Sequence, residues 1–221
     1  MWNAALARRY VRRGSTFPQC SARRLPTPKR TMADVLNEIL SLLPPKADGV
    51  IIVAIDGRSG AGKTTLALAL SRVLDCDVVH TDDFFLPPEL RTPERYAEAG
   101  GNLHYERMRR EVIDRIGNTF SYRRFDCATM SAGELVRVRK KDFLVVEGAY
   151  SLHPYFGKYY DVAVFCDVDR DTQRARILKR NGAGALASFE ERWIPLEEKY
   201  FAEYDIEGQC NKVIKTGEKT K

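Results

Sequence analysis

The sequence predicts an α/β fold, a parallel sheet with helices on both faces. Three observations predict it. From residue 32 onward, short apolar runs alternate with longer amphipathic ones. Two of the short runs, GVIIVAID (49–56) and DVAVFCDVD (161–169), are apolar on both faces, as strands buried inside a parallel sheet are. The first of them leads directly into a glycine-rich turn and then a helical pattern.

The elements follow in order. MADVLNEILSLL starts an amphipathic helix over 33–43, stopped by Pro44-Pro45. GVIIVAID reads as a central strand, residues 63–74 as the next helix, and CDVVH (76–80) as a short strand. HYERMRREVIDRIG (104–117) reads as one helix closed by Gly117. FSYRRF (120–125) and LVRVRK (135–140) suit a short accessory strand pair. DFLVVEG (142–148) and 161–169 are further buried strands, helices are expected over about 170–181 and 186–203, and NKVIKT (211–216) is a last strand. Crossovers between parallel strands are expected to be right-handed.

The chain has 221 residues, with 44% hydrophobic and 30% charged, ordinary values for a globular protein. Its longest aliphatic run, Val50 to Ile55, is far too short to cross a bilayer. The net charge of +6 comes from the N-terminus. Arg8, Arg9, Arg12, Arg13, Arg23, Arg24, Lys29 and Arg30 precede the first acid, Asp34, and the rest carries 28 basic against 30 acidic residues. The charge is therefore no sign of a nucleic-acid-binding face, and neither a nucleic-acid nor a membrane partner is expected. Residues 1–31 read as a basic, disordered extension with the domain at 32–221, its natural start at Met32. A mitochondrial transit peptide has the same composition. The expected location is thus cytoplasmic, or the mitochondrial matrix on the second reading. Five scattered cysteines without metal-ligand spacing are expected to be reduced thiols. A homo-oligomer remains open.

GRSGAGKT (57–64) fits G-x-x-x-x-G-K-[ST] between a strand and a helix, the context that the P-loop of nucleotide-binding proteins requires. Gly57, Gly60 and Gly62 let the backbone approach phosphates. Amides from Ser59 through Ala61 to Thr64 line a concavity for anionic oxygens, and the helix adds its positive end. Lys63 is expected at the β- and γ-phosphates, Thr64 on Mg²⁺ and Thr65 on a phosphate. This implies ATP and Mg²⁺ within a P-loop NTPase fold.

Further residues bear on whether phosphate is transferred. CDVVHTDDFF places Asp82 and Asp83 just after the second strand. Because neighbouring strand ends share one crevice, Asp82 is expected near the γ-phosphate. A carboxylate there can take the proton of an attacking hydroxyl or help hold the metal; a turn acid is the alternative. Phe84 and Phe85 suit a wall for a ring-bearing substrate, or core. Glu147, at the end of FLVVEG, could bind Mg²⁺ through water or touch acceptor hydroxyls. Arg174, Arg176, Lys179 and Arg180 fall on a helix ending at Asn181-Gly182, where basic groups could stabilise transferring phosphate. The Asn-Lys-x-Asp segment of a guanine-reading GTPase is absent.

GRSGAGKTTLA, TDDFF, VVEGAY and RILKRNG, in this order, resemble the uridine kinase-like family of P-loop small-molecule kinases, relatives of nicotinamide riboside kinase, pantothenate kinase and phosphoribulokinase. The resemblance extends from about Gly49 to Thr216. It implies transfer of the γ-phosphoryl group of ATP to a small acceptor, most readily a nucleoside. It makes Asp82 the base, with Lys63, Arg176 and Arg180 as catalytic groups, Thr64 and Glu147 at the metal, and Asp83, Phe84, Asn102, His104, Tyr105, Tyr122, Arg124, Asp126 and Glu147 as acceptor-site candidates. RRFDCATMSAG departs from the pyrimidine-binding stretch of true uridine kinases, which leaves another sugar, a vitamin or nicotinamide riboside open as acceptor. A regulatory P-loop protein without an acceptor is the reading from another class. His104 and His153 are expected in turns or at the surface.

Overall fold

The computed structural model describes residues 30–45 and 49–217, so the expectations for residues 1–29 lie outside the described residues. In order, the elements are α1 (Met32–Leu40), β1 (Ile51–Gly57), α2 (Lys63–Leu74), β2 (Asp77–His80), α3 (Pro93–Ala97), α4 (Tyr105–Glu111), β3 (Phe120–Asp126), β4 (Ser131–Val138), β5 (Phe143–Glu147), β6 (Val162–Val168), α5 (Arg170–Ser188), α6 (Ile194–Glu203) and β7 (Lys212–Thr216).

Five strands form one parallel sheet in the order β2-β5-β1-β6-β7. β1 is central, and all seven of its residues are buried. Alternation along each strand divides the core in two. Ile52, Ala54, Val146 and Phe165 join a cluster with Met108 of α4 and Tyr200 and Phe201 of α6. Val53, Ile55, Val145 and Val164 face Val35 and Ile39 of α1 and Leu66 and Leu70 of α2. Each such side chain, fully buried, contributes about 1.5–3 kcal/mol. α1 begins with a reciprocal cap in which Thr31 and Asp34 each accept the other's amide. Thr31 lies one residue upstream of the Met32 read as the natural start.

Several details differ from the sequence reading; α1 stops at Leu40, and the helix expected over 186–203 runs as the end of α5, a π-helical turn (Phe189–Trp193) and α6. β5 lies between β1 and β2, so the strand before Asp82 is not the neighbour of the strand before the P-loop. The expected helix 104–117 is broken. α4 ends at Glu111, Val112 takes φ −121°, and a 3-10 turn covers Ile113–Arg115. Val112 and Met108 are fully buried in the sheet-side cluster, and packing there overrides helical continuity. The accessory ribbon is longer than expected because β4 starts at Ser131, where Met130 (φ +54°) closes the turn from β3.

Candidate active site

The P-loop starts where β1 ends. A Cβ on Gly57 (φ +130°) would lie 2.1 Å from the carbonyl oxygen of Cys166 on β6, so only glycine fits there. After the loop, α2 begins at Lys63 with no side chain capping it, which leaves its first amides to an anion. Lys63 is buried, and its Nζ donates to the carbonyls of Gly57 (2.7 Å) and Arg58 (3.0 Å). The ammonium is thereby held across the mouth of the loop.

Glu147 ends β5, beside the loop. Its Oε1 accepts the Thr64 hydroxyl at 3.0 Å and lies 2.5 Å from His80 Nδ1. This hydrogen bond to Glu147 holds the His80 pKa above the ordinary histidine value.

Asp82 sits in a 3-10 turn, Thr81–Phe84, directly after β2. That turn is tied to β5. Thr81 donates to the Ala149 carbonyl at 2.8 Å, and a Cβ on Gly148 (φ +133°) would come within 1.9 Å of the Thr81 hydroxyl. Asp82 and Glu147 therefore keep a fixed relation although their strands end separately. Asp82 is open to solvent on one side and crowded by protein on the others. The crowding raises its pKa, Glu147 adds to the rise, and Lys63, His80 and Arg180 oppose it. Asp82 is thus within electrostatic reach of the P-loop lysine, the β5 acid and Arg180 of α5.

Arg176 and Arg180 lie on α5 but behave differently. Arg176 Nη1 donates to the Gly60 carbonyl and to Thr216 Oγ1, each at 2.9 Å. Arg180 makes a 2.7 Å bond to the neighbouring Asn181 side chain. The helix breaks at Gly182 (φ +83°), where the sequence predicted its end, and resumes through Ser188. Arg174 pairs with Glu190 in a π-helical turn, Phe189–Trp193, that leads into α6.

The other predicted residues are dispersed. Asp83 is buried and accepts the Tyr122 hydroxyl at 2.8 Å, with Arg124 Nε 3.6 Å from its other oxygen. Phe84 has no exposed surface; it packs on Tyr122 and lies beneath the Arg107 guanidinium. Asn102 is buried, and its side-chain oxygen has no hydrogen-bond partner among the described residues. Tyr105 lies under Arg95 and donates to Glu98 at 2.8 Å. Asp126 caps its own turn through Ala128 and Thr129. His104 precedes α4 and faces Glu106 at 3.1 Å. His104 and Tyr122 share a groove of about 710 Å³ between α4 and the β3–β4 ribbon. His153, expected in a turn or at the surface, starts a 3-10 turn but is buried against Tyr105, Phe156 and Tyr200; burial lowers its pKa to about 4.

The sequence reading missed three acidic or basic groups at the site. Asp56 is fully buried at the end of β1 and accepts from the Gly57, Tyr150 and Leu152 amides and the Tyr200 hydroxyl. Burial pushes its carboxyl pKa up against those donors. His80, the last residue of β2, had a usable signal in its place two residues before Asp82. Glu197, on α6, touches the P-loop 138 residues away and had none.

The parallel sheet, the loop and the acids at its strand ends define a P-loop kinase fold. No family model matches the chain. The solved structures it resembles are uridine kinase-like P-loop kinases. A protein described as a possible uridine kinase, from Bacillus stearothermophilus, matches with a TM-score of 0.62 at 19% identity, over 83% of this chain and 96% of that one. A protein described as a fructose transport system kinase, from Silicibacter sp. TM1040, matches with a TM-score of 0.64 at 25% identity, over 84% and 99%. In sequence, the chain is 26% identical to the cytidylate kinase of Pyrobaculum calidifontis over 167 residues, 72% of this chain and 77% of that one. Among the described residues, no helix is long and apolar enough to cross a membrane.

Proposed function

We propose that this protein is an ATP-dependent kinase that transfers the γ-phosphoryl group to a hydroxyl of a small acceptor, a nucleoside by preference. The observation that carries the reading is the arrangement of Lys63 across the P-loop, Glu147 at the end of β5 against Thr64, and Asp82 in the turn that Thr81 ties to Ala149, just after β5. Asp82 accepts the proton of the acceptor hydroxyl as its oxygen bonds to the γ-phosphorus. The bond from that phosphorus to the bridging oxygen breaks and ADP leaves. Lys63 and the P-loop amides hold the phosphates, and Arg180 faces the charge that spreads over the transferring group. The raised pKa of Asp82 makes it a stronger base than an ordinary aspartate.

Thr64 Oγ1 and Glu147 Oε1, 3.0 Å apart, are hard oxygen donors that suit Mg²⁺. Among the described residues no group of three or more acids, histidines or cysteines could hold a metal, so Thr64 and Glu147 would hold the ion together with ligands from the nucleotide or water. Bound there, the ion supplies neutralisation of the β- and γ-oxygens.

A sugar is the second acceptor reading, favoured by the likeness to the Silicibacter protein. ADP release measured with and without a panel of nucleosides, nucleotides and sugars tests both. Strong stimulation by one compound supports the kinase and names its acceptor class. Slow hydrolysis unaffected by every compound points instead to a regulatory P-loop protein.

A further inference from the structure

A buried carboxylate that the transfer step does not use stands against the P-loop. Glu197, on α6, is 5% exposed. Its Oε2 accepts the Ser59 amide at 3.0 Å, and its Oε1 accepts the Ser59 hydroxyl. The same stretch of loop is held from three other sides. Gln173 of α5 donates to the Ser59 carbonyl at 3.0 Å, Arg176 to the Gly60 carbonyl at 2.9 Å, and Arg58 pairs with Asp167 of β6 at 2.8 Å and with Glu198. Glu197 therefore occupies both donors of Ser59, the amide and the hydroxyl, in the middle of the loop.

The charges around it conflict with a triphosphate. Lys63, from α2, gives Glu197 its strongest charge attraction, while Asp82 repels it from the turn after β2. Tyr150, from the turn after β5, meets the Glu197 charge as well. In the proposed transfer the phosphoryl group lies between Lys63 and Asp82 and brings negative charge of its own. An ionised Glu197 would then compete for Lys63 and for Ser59 in a setting of low dielectric, where like charges are costly.

We infer that Glu197 is a positioning residue of the phosphate cup, which holds Ser59 in place and takes up a proton when the terminal phosphate of the nucleotide arrives. This rests on the nucleotide-binding part of the proposed function. Burial already favours the neutral carboxyl, so little further bias is needed. The neutral acid keeps its carbonyl oxygen as acceptor for the Ser59 amide, and its new O–H can donate to the Ser59 hydroxyl or to a phosphate oxygen. Linkage fixes the sign. Because the bound state holds the extra proton, affinity for nucleotide falls as pH rises, by up to about tenfold per pH unit.

Calorimetry with Mg²⁺ and a non-hydrolysable ATP analogue, without acceptor, tests this in two buffers of different ionisation enthalpy. The wild-type chain is expected to take up protons on binding. Glu197→Gln, which keeps the shape and an acceptor for the Ser59 amide, is expected to take up fewer and to bind at least as tightly at pH 8. Asp82→Asn is expected to retain the uptake. Equal proton counts for wild type and Glu197→Gln would overturn the inference. So would loss of the uptake in Asp82→Asn, or no uptake by the wild type, a result that stands even if Glu197→Gln fails to fold. Failure of the analogue to bind would remove the nucleotide-binding reading and this inference together, whereas binding without proton uptake removes this inference alone.

Discussion

Thr64 and Glu147 face each other hydroxyl to carboxylate across 3.0 Å, and so join the first turn of α2 to the end of β5. Glu147→Gln keeps an acceptor for that hydroxyl and removes the charge. The Mg²⁺ concentration for half-maximal turnover should rise by about 10–100-fold, as when a residue supporting a metal is lost. A Mg²⁺ titration of ADP release reads it; an unchanged requirement would take Glu147 out of the metal site. The same variant should lower the pKa of His80, which now lies above the usual histidine value through its bond to Glu147, and an NMR titration of the ring would show the shift.

Asp82→Asn should reduce transfer by about 10²–10⁴-fold while nucleotide binding persists. Equal turnover would remove Asp82 from the role of base. In the wild-type protein, protonation of Asp82 disables the base. Since its pKa is raised, kcat/KM should fall as pH drops through a value above the ordinary aspartate range. An acidic limb placed at or below that of a free carboxylate would contradict the assignment.

Lys63→Ala should weaken nucleotide binding and turnover together. The loss reaches the loop itself, because the ammonium bridges the Gly57 and Arg58 carbonyls. Binding by calorimetry and steady-state rates should both drop, and an unaltered pair of values would exclude the phosphate role.

His153 sets an acid sensitivity of stability away from the P-loop. Its pKa is about 4 in the fold, against an ordinary value of 6.5. A depressed histidine contributes fully above the unfolded value, and the contribution is lost as pH falls from about 6.5 to about 4, because the unfolded chain binds the proton first. The loss sums to about 3 kcal/mol at 1.36 kcal/mol per unit. Denaturant unfolding at pH 7 and pH 4.5 should show it, and His153→Phe should flatten that dependence. A variant as acid-sensitive as the wild type would refute the account.

Much of this architecture was legible because its signals are local. The helix over 63–74 was read with its observed bounds, since Gly62 and Lys63 mark its start and the apolar spacing its extent. The central place of β1 followed from its two apolar faces. Strand order was less accessible: nothing in CDVVH says that β5 will insert between it and β1. The break at Val112 depends on what surrounds Met108 and Val112, not on their own sequence. Glu197 lies in IPLEEKYFAEYD among several acids, and only the folded chain shows which one meets Ser59. His153 does stand in a turn, but its burial is not readable locally, since its aromatic neighbours include Tyr105 of α4, Tyr200 of α6 and Tyr204 just after it, besides the nearby Phe156.

The interruption of α5 at Gly182 leaves all its basic residues on one side of the joint. Arg176 sits more than a turn inboard and is lashed to the loop, whereas Arg180 stands two residues from the joint and bonds to the neighbouring Asn181 amide. A rotation about that glycine would swing the stretch through Ser188 while Arg176 and Arg180 stay together on the near side of the joint, so that the far half of the helix is free to move without loosening the grip on the loop.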